Sequence, residues 1–306
     1  MNIIRIGGIV AGGNIILVTT DSGATVYATN GIKTISGIAV DGVAKLKAKA
    51  GTWRVWAELN GDTTSEVEVV VTDSYNMEMS FGLKLSSLPV GTFVRIKENG
   101  ADVNYRVVHQ GLPSSLYDSS CDGTWLMREQ LYAQGYFDGT DNDYKSSDMH
   151  TYLNSTVLGL FDANTQGVIK QAKIPYFNGA GNSGAVASGA NGLSTKIFAL
   201  SGYELGITTS TNSALPVDGA CLSYFNGTAA TDSKRIAYNG GTAAHWWSRS
   251  PYVGQSKNIF YVSSSGQVTV IYFPTTNMWY RPVMILDSKA VANPEPNADG
   301  SYTLMV

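Results

Sequence analysis

The chain has 306 residues, a net charge of −3, 43% hydrophobic residues and only 15% charged ones, where ~25% charged is usual for soluble domains. That length admits one large domain or two ordinary ones, and the hydrophobic share excludes a disordered chain. The acidic balance excludes a polybasic nucleic-acid binder, no apolar run approaches the ~20 residues of a membrane-spanning helix, and Met1–Val10 lacks the apolar stretch of a signal peptide.

From Asn14 to Thr72 the sequence alternates. Ala44, Leu46 and Ala48 interleave with Lys45, Lys47 and Lys49, the period-2 pattern of a strand with one wet face. Trp53, Val55, Ala57 and Leu59 interleave in the same way with Thr52, Arg54, Trp56 and Glu58. Asn60-Gly61-Asp62 signals a hairpin, and Val67, Val69 and Val71 then alternate with Glu66 and Glu68. Residues 1–80 are therefore expected to form a small all-β sandwich. In pattern it resembles the immunoglobulin-like and carboxypeptidase-regulatory-like modules of phage tail and cell-surface proteins. That resemblance implies an attachment or spacer role.

Residues 81–306 are expected to be α+β. Phe93 to Lys97, Asn99-Gly100 and Tyr105 to His109 read as a hairpin. Ser147-Asp148 caps a predicted helix carrying Met149, Tyr152, Leu153, Val157 and Leu160, and a second helix is expected from Ala163 to Ile174. Phe177 to Gly192 is rich in Gly, Asn and Ser and reads as a loop, after which strands and long loops return.

Candidate chemistry is sparse. Gly179-Ala180-Gly181-Asn182-Ser183-Gly184 matches GxGxxG in form only, because Gly189 and Gly192 follow where a phosphate-binding helix would have to begin. Asp138, Asp141 and Asp143 either turn a solvated loop or offer oxygens to calcium, without EF-hand spacing. Cys121 and Cys221 are expected to be buried thiols, with a disulfide as the open alternative, and His109, His150 and His245 are expected to be structural. No catalytic constellation is visible, so no enzyme, metal or cofactor is expected.

The last fifth is the most informative. Trp246-Trp247-Ser248-Arg249-Ser250-Pro251 and Arg281-Pro282-Val283-Met284-Ile285-Leu286 frame a charge-poor, aromatic-rich segment. The two tryptophans read as core and the two arginines as semi-buried, bonded to carbonyls or carboxylates. Tyr, Ser, Gly and Asn with an occasional Trp is the composition antibody paratopes use. The framing pair closely resembles the WWLRSP…VRPA-type frame of C-type-lectin-like domains of gut bacteria and their phages, many of them variable proteins of diversity-generating retroelements. Ser86 to Val94, Ser147 to Asn154 and Lys196 to Leu205 fit the same domain, so the resemblance covers residues 85 to 290. Ser248 stands where that family has Leu, and Met149-His150-Thr151-Tyr152 where it often has Trp.

The resemblance implies a C-type-lectin-like fold for residues 81–306 and a diversified ligand-binding surface. Carried over, the surface comprises Tyr252, Val253, Gly254, Gln255, Ser256, Lys257, Ser263, Ser265, Thr269, Ile271, Phe273, Thr275, Thr276, Trp279 and Tyr280. Trp246, Trp247, Phe260, Val262, Gly266, Val268, Arg281 and Pro282 would be scaffold. The expected protein is a non-enzymatic receptor-binding component of a phage tail or cell surface. Its implied partner is a host-cell surface protein or glycan, and other tail proteins or further copies of itself are further partners. The alternative is a structural tail-fibre module whose C-terminal patch packs against another subunit. An enzyme of the formylglycine-generating kind, which shares the lectin-like fold, needs two cysteines close in sequence, which Cys121 and Cys221 are not.

Overall fold

A computed structural model of the protein describes residues 14–72, 75–78, 82–225, 232–271 and 273–306. The N-terminal ten residues read above for a signal peptide, and Tyr272, lie outside the described residues. The chain divides into two compact units, Met1–Gly82 and Leu83–Val306.

The first unit carries β1 (Asn14–Thr19), β2 (Thr25–Thr29), β3 (Thr34–Ile38), β4 (Val43–Ala48), β5 (Gly51–Leu59), β6 (Asp62–Thr63), β7 (Val67–Val71) and β8 (Tyr75–Glu78). They form two sheets, β4-β1-β8 and β3-β2-β5-β6, with β7 also paired to β5. Alternation decides what faces inward. Ile16, Val18, Ala44 and Leu46 from one sheet share a core with Val26, Ala28, Trp53, Val55, Val69 and Val71 from the other. Tyr27 and Trp56 lie on the opposite face of their sheet, stacked with centroids 5.2 Å apart. Asn60 and Gly61 both take positive φ, 53° and 87°, as a two-residue hairpin turn with the twist of its strands requires.

The second unit opens with β9 (Leu83–Lys84), the hairpin β10 (Phe93–Glu98) and β11 (Ala101–Gln110), then β12 (Thr124–Arg128) and β13 (Gln134–Gly135). Short ladders β14 (Ala172–Ile174), β15 (Leu193–Thr195), β16 (Ile197–Phe198), β17 (Tyr238–Asn239) and β18 (Thr242–Ala243) follow. The C-terminal part supplies β19 (Trp246–Pro251), β20 (Ile259–Val262), β21 (Val268–Ile271), β22 (Met278–Trp279), β23 (Val283–Leu286), β24 (Val291–Ala292) and β25 (Tyr302–Met305). An eight-stranded sheet runs β16-β23-β12-β11-β10-β25-β24-β9, and a five-stranded one runs β13-β22-β19-β20-β21. The main core of the unit draws on both, from Val94, Tyr105 and Trp125 to Trp246, Trp247 and Ile285.

The α+β, C-type-lectin-like expectation is corrected here. The chain is mostly β, 39% strand against 12% helix, with several sheets and an architecture of β-sandwich type. The segments read as helical are short. α1 (Asp148–Tyr152) runs on only as a π-turn, Leu153–Val157, and a 3-10 turn, Leu158–Leu160. α2 (Ala163–Val168) stops at Ile169, and the rest of that expected helix is strand β14, paired with β15. The helix expected from Ala163 to Ile174 gives way at its end to β14, where Ile174 pairs with Leu193 and gains more from cross-strand packing. Asn154 ties the helical turns to the sheet rather than to another helix. Its amide donates to Ile197 O at 2.8 Å, and its carbonyl accepts from Lys196 N at 3.0 Å.

Candidate ligand-binding surface

The frame of the C-terminal segment is buried throughout. All six residues of β19 are inaccessible, and the indole N–H groups of Trp246 and Trp247 donate to Arg235 O at 3.0 Å and Gly135 O at 3.1 Å. Arg249 is fully buried rather than semi-buried. Its Nη2 donates to the Glu204 carboxylate at 2.8 Å and to Asp218 O at 2.9 Å, and its Nη1 to Ala199 O at 2.9 Å. A buried guanidinium needs this many acceptors to offset its lost hydration. Ser250 Oγ donates to the buried Asp218 carboxylate at 2.8 Å. Burial pushes that carboxyl up to about 7, against the pull of Arg249 and Ser250. Arg281 lies over the Trp246 ring at 5.2 Å and donates to Arg128 O at 3.1 Å.

Between these anchors the chain rises to the surface in three places. In the first loop Tyr252 stacks half-buried on Phe260, beside Ile207 and Leu215, while Gly254, Gln255, Ser256 and Lys257 are exposed and Val253 is intermediate. Asn142 Nδ2 holds this loop by donating to the carbonyls of Gln255 and Asn258, both at 2.7 Å. The glycine-rich stretch belongs to the same scaffold, because Asn182 O accepts from Gly254 N at 3.0 Å and Asn142 Oδ1 accepts from Ala180 N at 2.7 Å. In the second place Ser263 and Ser265 turn the β20–β21 hairpin, with Gly266 buried at φ 80°.

The third place spans β21 to β22. Val268, Thr269, Val270 and Ile271 are all half-buried, so β21 has no clean outer face, and Ile271 packs on the main core instead of standing outward as expected. Phe273, 58% exposed, and Thr275 reach the surface, and Tyr136, 51% exposed, stands on the segment that Phe137 N ties to Pro274 O. Tyr280 corrects another expectation: it is 5% exposed and part of the core. Its ring lies over Gly135, where a β-carbon would overlap it, and its hydroxyl donates to Tyr136 O at 2.6 Å.

Thr276 and Trp279 line a cleft of about 270 Å³ together with Gln134, His245, Ser264 and Asn277, with Ala243, Ala244 and Met278 as its apolar lining. Gln134 arrives through pairing of β13 with β22, opposite Trp279. Sequence reasoning passed over Gln134 and took His245 as structural, since nothing in the linear pattern brings residue 134 to residue 279. His245 Nδ1 accepts from Ser264 N at 3.0 Å, so Nε2 carries its proton in the neutral ring. A larger cleft of about 500 Å³ is lined by Arg95, Asp102, Asn104, Arg128 and Glu129. Its charges are already paired, Arg95 with Asp299 at 2.8 Å and Arg128 with Glu98 at 2.8 Å.

The three aspartates considered for calcium serve as turn caps. Asp138 accepts from Thr140 N at 2.7 Å and Asp141 N at 3.0 Å, Asp141 from Asp143 N at 2.8 Å, and Asp143 from Ser146 Oγ at 3.0 Å. Among the described residues no cluster of three His, Cys, Asp or Glu groups is placed to hold a metal ion. Cys121 and Cys221 are both thiols, but only Cys121 is buried as expected. Cys221 is exposed, with its thiol donating to Phe225 O.

A family model described as Domain of unknown function (DUF6273) matches residues 122–288, a span that contains every residue of the 270 Å³ cleft. No curated protein matches the sequence. Among solved structures, a DUF4876 family protein from Bacteroides thetaiotaomicron VPI-5482 aligns at 11% identity with a TM-score of 0.17. That alignment covers 44% of this chain and spans 38% of the other protein's length.

Proposed function

This chain belongs to the Domain of unknown function (DUF6273) family, and for it we propose a non-enzymatic ligand-binding role, with residues 252–279 as the recognition surface. One observation carries the reading. The anchors Trp246, Trp247, Arg249 and Arg281 are buried and hydrogen-bonded, while Gln255, Ser256, Lys257, Ser265, Phe273 and Thr275 between them are exposed. Such a division lets surface side chains change without touching the core, and exposed aromatic area such as Phe273 and Tyr136 is costly unless something covers it. The partner in this reading is a host-cell surface protein or glycan, met by a phage tail or cell-surface protein.

Within the same proposal the exposed positions are the diversified ones. The expected genomic companion is a near-copy of the codons for residues 245–285 that differs at adenines and lies beside a reverse-transcriptase gene. A locus without that copy leaves a binder of fixed specificity. The direct test is flow cytometry of labelled full-length protein on a panel of whole bacterial cells. Changing Gln255, Lys257, Phe273 and Thr275 together to Ala is expected to abolish staining and leave the melting temperature in place. Staining that survives the quadruple change moves the binding surface elsewhere and overturns the reading. The same exposed Phe273 and Tyr136 favour a second reading, a structural module whose patch packs on a neighbouring copy. Light scattering separates the two, since a stable oligomer that hides Phe273 supports the structural role.

A further inference from the structure

Five of the six tryptophans spend their indole N–H inside the protein. Trp53 donates to Lys49 O at 2.9 Å, Trp56 to the Glu58 carboxylate at 3.3 Å, and Trp125 to Cys121 O at 3.0 Å, alongside the bonds of Trp246 and Trp247 given above. Trp279 is the exception: its backbone N–H is fixed to His245 O at 3.1 Å, but its indole N–H has no partner among the described residues. Around it, the side chains of Gln134, Ser264, Thr276 and Asn277 likewise make no hydrogen bond among the described residues. The cleft gathers an indole donor, two amides, two hydroxyls and an imidazole N–H, exposed or half-buried and so open to a ligand that replaces their water.

The lining also defines the ligand. Among the described residues it contains no Asp, Glu, Lys or Arg, so a charged group entering it would lose hydration with no counter-charge to replace it. Amides and hydroxyls both donate and accept, which matches the hydroxyl groups of a neutral polyol, and the indole presents a flat apolar face. The volume of about 270 Å³ equals roughly nine liquid waters, room for one six-membered sugar ring. The bordering edge strand β13 is two residues long, too short to template an extended peptide.

We infer that this cleft is a subsite for one neutral pyranose unit of a glycan, a hexose or N-acetylhexosamine, stacked on Trp279 and hydrogen-bonded by Gln134, His245 and Asn277. The inference rests on the ligand-binding reading above and gives it a ligand class. The sugar's apolar C–H face covers the indole, and its hydroxyls take up the amides of residues 134 and 277.

The test uses full-length ¹⁵N-labelled protein and the six indole N–H signals in its NMR spectrum, that of Trp279 assigned by Trp279→Phe. The probes are methyl glycosides of glucose, galactose, mannose, N-acetylglucosamine and N-acetylgalactosamine, with glucuronic acid and N-acetylneuraminic acid as charged counterparts. At least one neutral glycoside is expected to shift the Trp279 signal saturably while the other five stay in place and the acids leave it unmoved. Gln134→Ala and Asn277→Ala alter exposed side chains, so they should keep the melting temperature and weaken binding about fivefold each. A Trp279 signal that no neutral glycoside moves, or that the acids move equally, overturns the assignment, as does binding unweakened in both alanine variants. If the sugars fail while loop-dependent cell staining persists, the partner is a protein and the ligand-binding role stands. A sugar-dependent shift in a protein that stains no cell keeps the cleft and removes the cell-surface reading.

Discussion

Asp218 shows how much one residue of the frame carries. It is fully buried, takes the Ser250 hydroxyl on its carboxylate and lies beside Arg249, which is paired to Glu204. Burial raises its carboxyl to about 7. Between the ordinary carboxylate range and that value, the folded protein holds a proton that the unfolded chain has released. Stability therefore falls as pH rises through the window and levels off above it, by at most about 1.4 kcal/mol per pH unit. Asp218→Asn keeps an acceptor for Ser250 without the titration, so urea unfolding between pH 5 and 8 should lose that slope. An unchanged slope would mean that Asp218 is ionised in the fold. The cysteines offer a simpler measurement. Burial pushes the Cys121 thiol up to about 12, whereas Cys221 is exposed. A thiol reagent should titrate one cysteine in the native protein and two after unfolding, and two fast-reacting thiols in the native state would contradict the burial of Cys121.

At the scale of elements, the β20–β21 hairpin is set by its last turn residue. Gly266 combines φ 80° with a position where a β-carbon would overlap the carbonyl of Asp232. Gly266→Ala is expected to cost roughly 2–4 kcal/mol, a fall in melting temperature of about 5–15 °C. The exposed neighbouring change Ser265→Ala should stay within about 0.5 kcal/mol. Equal melting temperatures for the two variants would show that the turn relaxes freely. The same elements show what a sequence can and cannot disclose. Ala44 to Ala48 were legible because one face is wet and the other dry, and Asn99-Gly100 because both residues take the positive φ that their types allow. β21 was not legible, since neighbours cover both its faces by half. Tyr280 was misplaced because the space it fills is left by Gly135, a relation across 145 positions of chain that no local period encodes. The cleft was half legible: Thr276 and Trp279 lie within the framed segment, but Gln134 and His245 reach it only through strand pairing.

On the scale of the whole molecule, each unit has its own core. Removing residues 1–82 should leave the melting temperature of the second unit unchanged, because among the described residues that unit's sheets contain no strand from the first. Removing residues 291–306 should instead prevent the second unit from folding. It deletes β24 and β25, the strands that join β9 to β10, removes Ala292 and Leu304 from the core, and uncovers Val94, which β25 covers. A soluble protein lacking those residues with an unchanged melting temperature would contradict this. Circular dichroism and thermal melts of the two truncations decide both points.

Strand β23 follows the proposed recognition segment and sits inside the eight-stranded sheet between β16 and β12. During synthesis, the residues that complete the sheet therefore leave the ribosome only after residues 252–279 have been made. A chain that stops before β23 lacks an interior strand of that sheet, together with β24 and β25, and leaves β12 and β16 without their shared neighbour, so it is expected to be degraded rather than to fold. Under the proposed ligand-binding role, position in the chain then acts as a reading-frame check, because the surface is presented only by a chain translated through β23.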